Sequence, residues 1–271
     1  MPADILNPTT LKQLDIPIIF GSLVFFGVLE LIFPFFQYKQ NWTSRITANF
    51  TLGATNAIFV RLILAALYIW AFTSPTRPAL FHQSVLFNQV FTPAAIGVFS
   101  FLLLDVSAYC WHIAMHKTPI AWKFHRVHHC DLSMNISTAY RFHVFEVLAS
   151  NLFIISLVWL FGIDPIPFFV YKVTFAFTEA FQHSNWALAP KVDKFVRFFI
   201  VTPNHHRVHH SQIVRETDSN YGSLLTIWDL VFGTFCYVRD TKKIDLGLEE
   251  APKPLNLVDL WLLPFRGFKG Y

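Results

Sequence analysis

The chain has 271 residues, of which 54% are hydrophobic, 17% aromatic and only 14% charged, against roughly a quarter charged in a soluble domain. Water is therefore not its main solvent. A net charge of +4 with no run of like charges excludes a nucleic-acid surface, and Cys110, Cys130 and Cys236, odd in number and without a CxxC pair, read as reduced thiols. The first residues, MPADILNPTT, have no basic region ahead of an apolar core, so no cleaved signal peptide is expected. Residues 16–36 are apolar apart from Glu30, Gly21, Ser22, Gly27 and two prolines, and as helix they cover roughly 31 Å, enough to cross a bilayer. Residues 48–72, interrupted by Arg61, and 93–109, with Asp105 near the end, predict two further spans. The runs 147–161 and 166–181 are shorter, about 22 to 24 Å each as helix. Joined by Gly162-Ile163-Asp164-Pro165, they predict a helical hairpin, tilted or dipping partway into the membrane.

Lys39 and Arg45 lie between the first two spans and Lys117, Lys123 and Arg126 follow the third, while the second connection holds only Arg77. The positive-inside rule then puts residues 38–46 and everything after Tyr109 on the cytoplasmic side, except the hairpin tip. No repeat or linker divides the chain, which reads as one unit over 1–271: an all-α polytopic membrane protein with a histidine-rich helical cap from 110–146 and 182–240. The tail after Asp240 reads as a membrane-surface or cap-packing segment. Arg61 and Lys172, within apolar stretches, read as structurally paired or snorkelling.

Eleven of the twelve histidines fall between His112 and His210, where even spreading would place about four. His112 and His116 form HxxxH; His125, His128 and His129 form HxxHH, as do His206, His209 and His210. Residues three and four apart share a helix face, so each motif is expected to aim its rings at a common point. Eight or nine imidazoles exceed the three or four that a single zinc takes, which implies two metal ions. A carboxylate-rich di-iron centre is a poor fit, because Glu146 and Glu179 lack the Glu-x-x-His pairing. His82 reads as an ordinary residue of the outer loop, and His205, about 100° around the helix from His206, as a non-ligand. Asp105, Glu146, Asn185, Asp218, Asn220 and Asp229 are candidates to accept the free N–H of ligating rings.

HxxxH, HRVHH, RFHxxE, QHSN, TPNHHRVHH and DSNYGSLLTIWDLVFGTF, in that order, resemble the fatty acid hydroxylase or sterol desaturase superfamily over roughly 105–237. The resemblance implies a non-haem di-iron site with O2 and electrons as co-substrates and a lipid lying in the membrane. Carried over residue by residue, it makes His112, His116, His125, His128, His129, His206, His209 and His210 metal ligands, with His183 of QHSN a ninth. His143 becomes a ligand or an outer hydrogen-bond partner; many relatives place proline after it, where this chain has Val144. Two irons can share the electrons that cleave O2 for attack on a C–H bond, giving hydroxylation or desaturation of a fatty acyl chain or sterol. With no GxGxxG fingerprint or CxxC pair, electrons are expected from a separate reductase, ferredoxin or cytochrome b5-like partner. The rival of another class is a histidine-rich metal transporter or haem-binding protein, which would place its ligands near mid-membrane.

Overall fold

A computed structural model of the chain describes residues 8–37, 42–83 and 89–267. Lys39 and the side chain of His82, both read above, lie outside them. The long elements are helices: α1 (Pro8–Ile32), α2 (Trp42–Thr73), α3 (Pro93–Lys117), α4 (Pro119–His129), α5 (Val144–Phe161) and α6 (Pro165–His183). Shorter ones follow: α7 (Pro190–Val196), α8 (Pro203–His209), α9 (Ile227–Phe232) and α10 (Leu257–Leu262). Among the described residues β-pairing is confined to isolated bridges. Proline opens α3, α4, α6, α7 and α8, where its fixed φ suits a first turn and its missing N–H costs nothing.

Three helices, α2, α3 and α5, are long and apolar enough to cross a membrane. Large apolar side chains point outward along them, among them Leu62 at 77% exposure, as expected of helices solvated by lipid. The fifth helix corrects the expectation of a short partial span. It starts at Val144, three residues before the apolar run, because His143 caps it, and its 18 residues reach roughly 27 Å. The hairpin to α6 turns at Gly162, whose φ of 71° is the left-handed conformation that glycine adopts without strain. The first helix ends at Ile32, ahead of Pro34, and the apolar part of its described side chains, Ile16–Ile32, falls short of the other three.

Pairing is between α2 and α5, α1 and α6, and α3 and α6. A core of Leu64, Leu104, Ile155, Val158, Ile163 and Tyr171 fills the half of this bundle away from the cap. At the other end α3 passes into α4 through Thr118 alone, held extended (φ −99°, ψ 115°) because Pro119 disfavours the helical conformation in the residue before it. That single break folds HRVHH back over HxxxH. The C-terminal tail packs on the cap: Leu248, Leu260 and Leu263 join Leu52, Trp122 and Val127, and Arg126 donates to Glu250 and to the Arg266 carbonyl at 2.8 Å each.

The cap is tied to α2 by a buried polar network around Asp131. Its carboxylate accepts from Arg45 (2.8 Å) and Thr138 (2.7 Å), while Asn49 joins Ser137 to Arg141. Burial raises the Asp131 carboxyl and the neighbouring Arg45 and Arg141 more than reverse this, so it lies below the usual carboxylate range. Replacing Asp131 by alanine leaves two arginines without a counter-charge, a change that costs about 3–5 kcal/mol where burial is deep. Thermal unfolding of detergent-solubilised protein should show that loss, and Asp131→Leu combined with Arg45→Met should recover part of it.

Candidate metal centre

The four helix ends that meet beneath the cap carry nine histidines into two groups. His112, His116, His125, His129 and His209 place one ring nitrogen each within 4.8 Å of one another, and His128, His183, His206 and His210 do the same beside them. The groups adjoin, with the His129 and His210 rings stacked at 4.5 Å and the His128 and His210 rings 4.7 Å apart. Eight of the nine rings are buried.

The expectation that each HxxHH serves one point is corrected. In α4, His125 and His129 belong to the five-histidine group and His128 to the four-histidine group; in and after α8, His206 and His210 belong to the four and His209 to the five. The two motifs thus make the same division with the groups exchanged. Helical geometry causes it: position i+4 lies about 40° beyond i and i+3 about 60° short of it, so the third and fourth steps diverge by roughly 100°. A motif seated between two neighbouring points reaches both.

Partners on the far side of the rings fix their tautomers. His112 Nδ1 donates to the Tyr221 carbonyl (2.9 Å), His209 Nδ1 to the Ser219 carbonyl (2.7 Å) and His183 Nδ1 to the Glu179 carbonyl (2.9 Å). His125 Nδ1 meets Glu146 Oε1 at 2.6 Å. Each pairing leaves the Nε2 lone pair facing inward, the state a metal needs. There the nitrogens crowd one another: His183 Nε2 lies 3.1 Å from His128 Nε2 and 3.0 Å from His206 Nε2, and His129 Nε2 is 3.2 Å from His125 Nε2. His209 Nε2, both nitrogens of His116, and Nδ1 of His128, His129 and His206 are buried with no hydrogen-bond partner. Burial, reinforced by the neighbouring rings, pushes His128, His129, His206, His209 and His210 well below the usual imidazole range. Neutral, buried and facing one another, the inward Nε2 atoms fit shared cations, whereas Nδ1 of His128, His129 and His206 lies on the far side of each ring.

Outer residues divide unevenly. Glu146 holds His125 as expected, and Asp218 comes within 3.6 Å of His116 Nδ1 while accepting from Lys117 (2.6 Å). Asp229 touches none of the nine. It accepts the backbone N–H of Tyr221 (2.8 Å) and Gly222 (3.0 Å) and the Thr234 hydroxyl (2.7 Å), and so shapes the loop whose carbonyls hold His112 and His209. A Cβ on Gly222 would meet Asp229 Oδ2 at 2.8 Å, which is why this loop needs glycine. Asn220, at φ 54°, bridges the carbonyls of His205 and Cys236. Asn185 binds Phe36 through both side-chain atoms, and its own N–H donates to Glu30 (2.8 Å); neither bond reaches a ring of the centre. Asp105 accepts the indole N–H of Trp228 (2.7 Å) and the Leu225 N–H. His205 faces Asp229 at 3.5 Å, away from both groups. Sequence reasoning missed the carbonyls of Glu179, Ser219 and Tyr221, since any residue type supplies one.

An apolar cavity of about 880 Å³ runs between α2, α3, α5 and α6. It begins beside Phe72, Pro165 and Phe168 at the end away from the cap and stops against His112, His128 and His183.

The fatty acid hydroxylase family matches residues 97–234, half of the chain. The chain belongs to the fatty acid hydroxylase family. An alkylglycerol monooxygenase of Danio rerio is 33% identical over 168 residues, 61% of this chain and 35% of that protein. The ornithine lipid hydroxylase OlsE of Rhizobium tropici is 25% identical over 248 residues, covering 86% and 72%, and a human cholesterol 25-hydroxylase is 27% identical over 139, covering 51% and 50%. The chain thus spans about a third of the length of the first of these. No solved structure matches it significantly. Membership agrees with the all-α, membrane-spanning fold, and the matched region contains all nine clustered histidines.

His143 stands apart from both groups. It caps α5, its Nδ1 accepting from Phe145 N–H at 3.2 Å, among the rings of Phe124, Trp261 and Phe265. His143→Ala should therefore cost about 0.5–2 kcal/mol of stability through the lost cap, and His143→Asn should restore most of it. Thermal melts of the three proteins check this; unaltered stability in His143→Ala would remove the capping role.

Proposed function

We propose that the chain is an O2-dependent lipid hydroxylase in which the two histidine groups hold two iron ions: His112, His116, His125, His129 and His209 one, and His128, His183, His206 and His210 the other. The observation that carries this reading is the pair of adjoining groups whose inward nitrogens have no partner but each other. Bound there, two irons supply the redox power that O2 needs to attack an unactivated C–H bond, which redox-silent zinc does not. Everything else is the protein's work. Glu146 and the carbonyls of Tyr221, Ser219 and Glu179 orient the imidazoles, and the Thr118 break and the Asp229 loop bring separate helix ends to one place. The apolar cavity delivers a hydrocarbon chain to the face formed by His112, His128 and His183 and keeps bulk water from it. A membrane lipid such as an acyl chain or sterol fits that shape, and the names of the relatives support a lipid.

Residues 1–271 act as one unit with the metal centre on the cytoplasmic side. Electrons come from a separate protein, a reductase, ferredoxin or cytochrome b5-like donor, to which the cap presents the centre.

Protein purified anaerobically without chelators should carry about two irons per chain by elemental analysis and Mössbauer spectroscopy. His128→Ala and His209→Ala, drawn from different groups, should each lose metal and abolish turnover, and Glu146→Ala should weaken metal binding about 10- to 100-fold. One tightly bound ion in the wild type, or full metal content and turnover in both histidine variants, would sink the di-iron reading. Sidedness has its own test: a reporter fused after residue 80 should lie outside and one after residue 240 inside. The reverse labelling would place the centre away from a cytosolic donor.

A further inference from the structure

The cavity that ends at the histidines has two cations on its walls. Arg61 on α2 and Lys172 on α6 both line it, a placement the sequence leaves open between the cavity and the surrounding lipid. The two helices approach at their outer ends, where Phe168 of α6 packs against Tyr68 (5.8 Å) and Phe72 (5.4 Å) of α2. Elsewhere each packs along a different partner, α2 on α5 and α6 on α1 and α3. A cleft therefore separates α2 from α6 on the cap side of Phe168, and both Arg61 and Lys172 are exposed beside it. Basic side chains within spans are costly and typically line a ligand or water path.

The opposite end of the same cavity is the metal centre. Glu146 and Glu179 line it next to His125 and His183. Lys172 precedes His183 by eleven residues on one helix, roughly 16 Å of axial rise. Between the two polar ends the wall is mainly apolar, with Ile154, Leu157 and Phe175 among its residues. An anionic group entering this space is attracted to the cations at the cleft and disfavoured along the apolar wall, so a bound amphiphile keeps its charged end at the cleft and sends its hydrocarbon inward.

Resting on the reading of the cavity as the lipid site, we propose that the cleft between α2 and α6 admits an anionic amphiphile whose carboxylate or phosphate is held by Arg61 and Lys172 while its hydrocarbon chain runs to the histidines. The carbon presented to the metal centre is then in the chain, well removed from the charged group. A neutral lipid of the same length lacks this anchor.

The test is equilibrium binding to the full-length, metal-containing protein in uncharged detergent, using three probes of one chain length: a fatty acid, a lysophosphatidic acid and the fatty alcohol. The wild type should bind one anionic probe at least about tenfold more tightly than the alcohol, the size of one charge-assisted contact. Whichever anion is preferred tells carboxylate from phosphate. In Arg61→Gln/Lys172→Gln the preference should vanish with alcohol affinity and metal content unchanged, and in Arg61→Lys it should persist. Equal affinity for the three probes, a charge preference that survives the double variant, or no binding of any probe overturns the proposal. Binding is read without turnover and metal is measured separately, so failure of the anchor and failure of the di-iron reading are distinguishable.

Discussion

Buried imidazole is a poor neighbour for buried imidazole. A neutral ring offers one N–H and one lone pair, and where four or five lone pairs converge with their N–H groups turned outward, nothing within the cluster can satisfy them. Burial denies them protons as well, since charging one ring in that space means desolvating a cation beside others of its kind. The remaining partner is a metal ion, and the rest of the structure follows from the need to bring nine such rings together from four separate helix ends and hold them against that cost.

The membrane bundle and the cap divide this task. Long helices packed in pairs position His112, His116 and His183 at one end of the spans, and the short helices α4 and α8 lay the two HRVHH motifs across them. Since the motifs exchange groups, neither site is complete without both helices, so the two sites form together or not at all. This explains why the cap is braced so heavily by buried charge. Asp131 with Arg45 and Arg141, and Arg207 donating to the Ser184 and Trp186 carbonyls, each join a histidine-bearing segment to another part of the chain.

The same arrangement produces the cavity. Because α2 packs along α5 while α6 packs along α1 and α3, a space remains between these sets, and it points at the rings. Its walls are apolar because the spans are apolar, and Arg61 and Lys172 sit on them away from the histidines. Site and access are consequences of one packing problem.

Much of this was written in the sequence. Low charge and long apolar runs point to a membrane, and the i, i+3, i+4 spacing puts the histidines of each motif on one side of its helix, because both are properties of composition and helical period. Eight of the nine clustered positions were legible for that reason, His183 only through the family resemblance carried by QHSN, and Glu146 because a carboxylate near a histidine motif is a recognisable partner. Tertiary structure alone decided how each HRVHH divides, since the angular split matters only once a second helix supplies the complementary split. It also decided that His143 caps a helix, that Asn185 and Asp229 brace backbone instead of rings, and that backbone carbonyls complete the centre, because a carbonyl has no signature in side-chain identity. Arg61 and Lys172 show the same limit: the sequence places two charges in apolar helices, and only the packing of α2 against α5 and of α6 against α1 and α3 turns them toward one cavity.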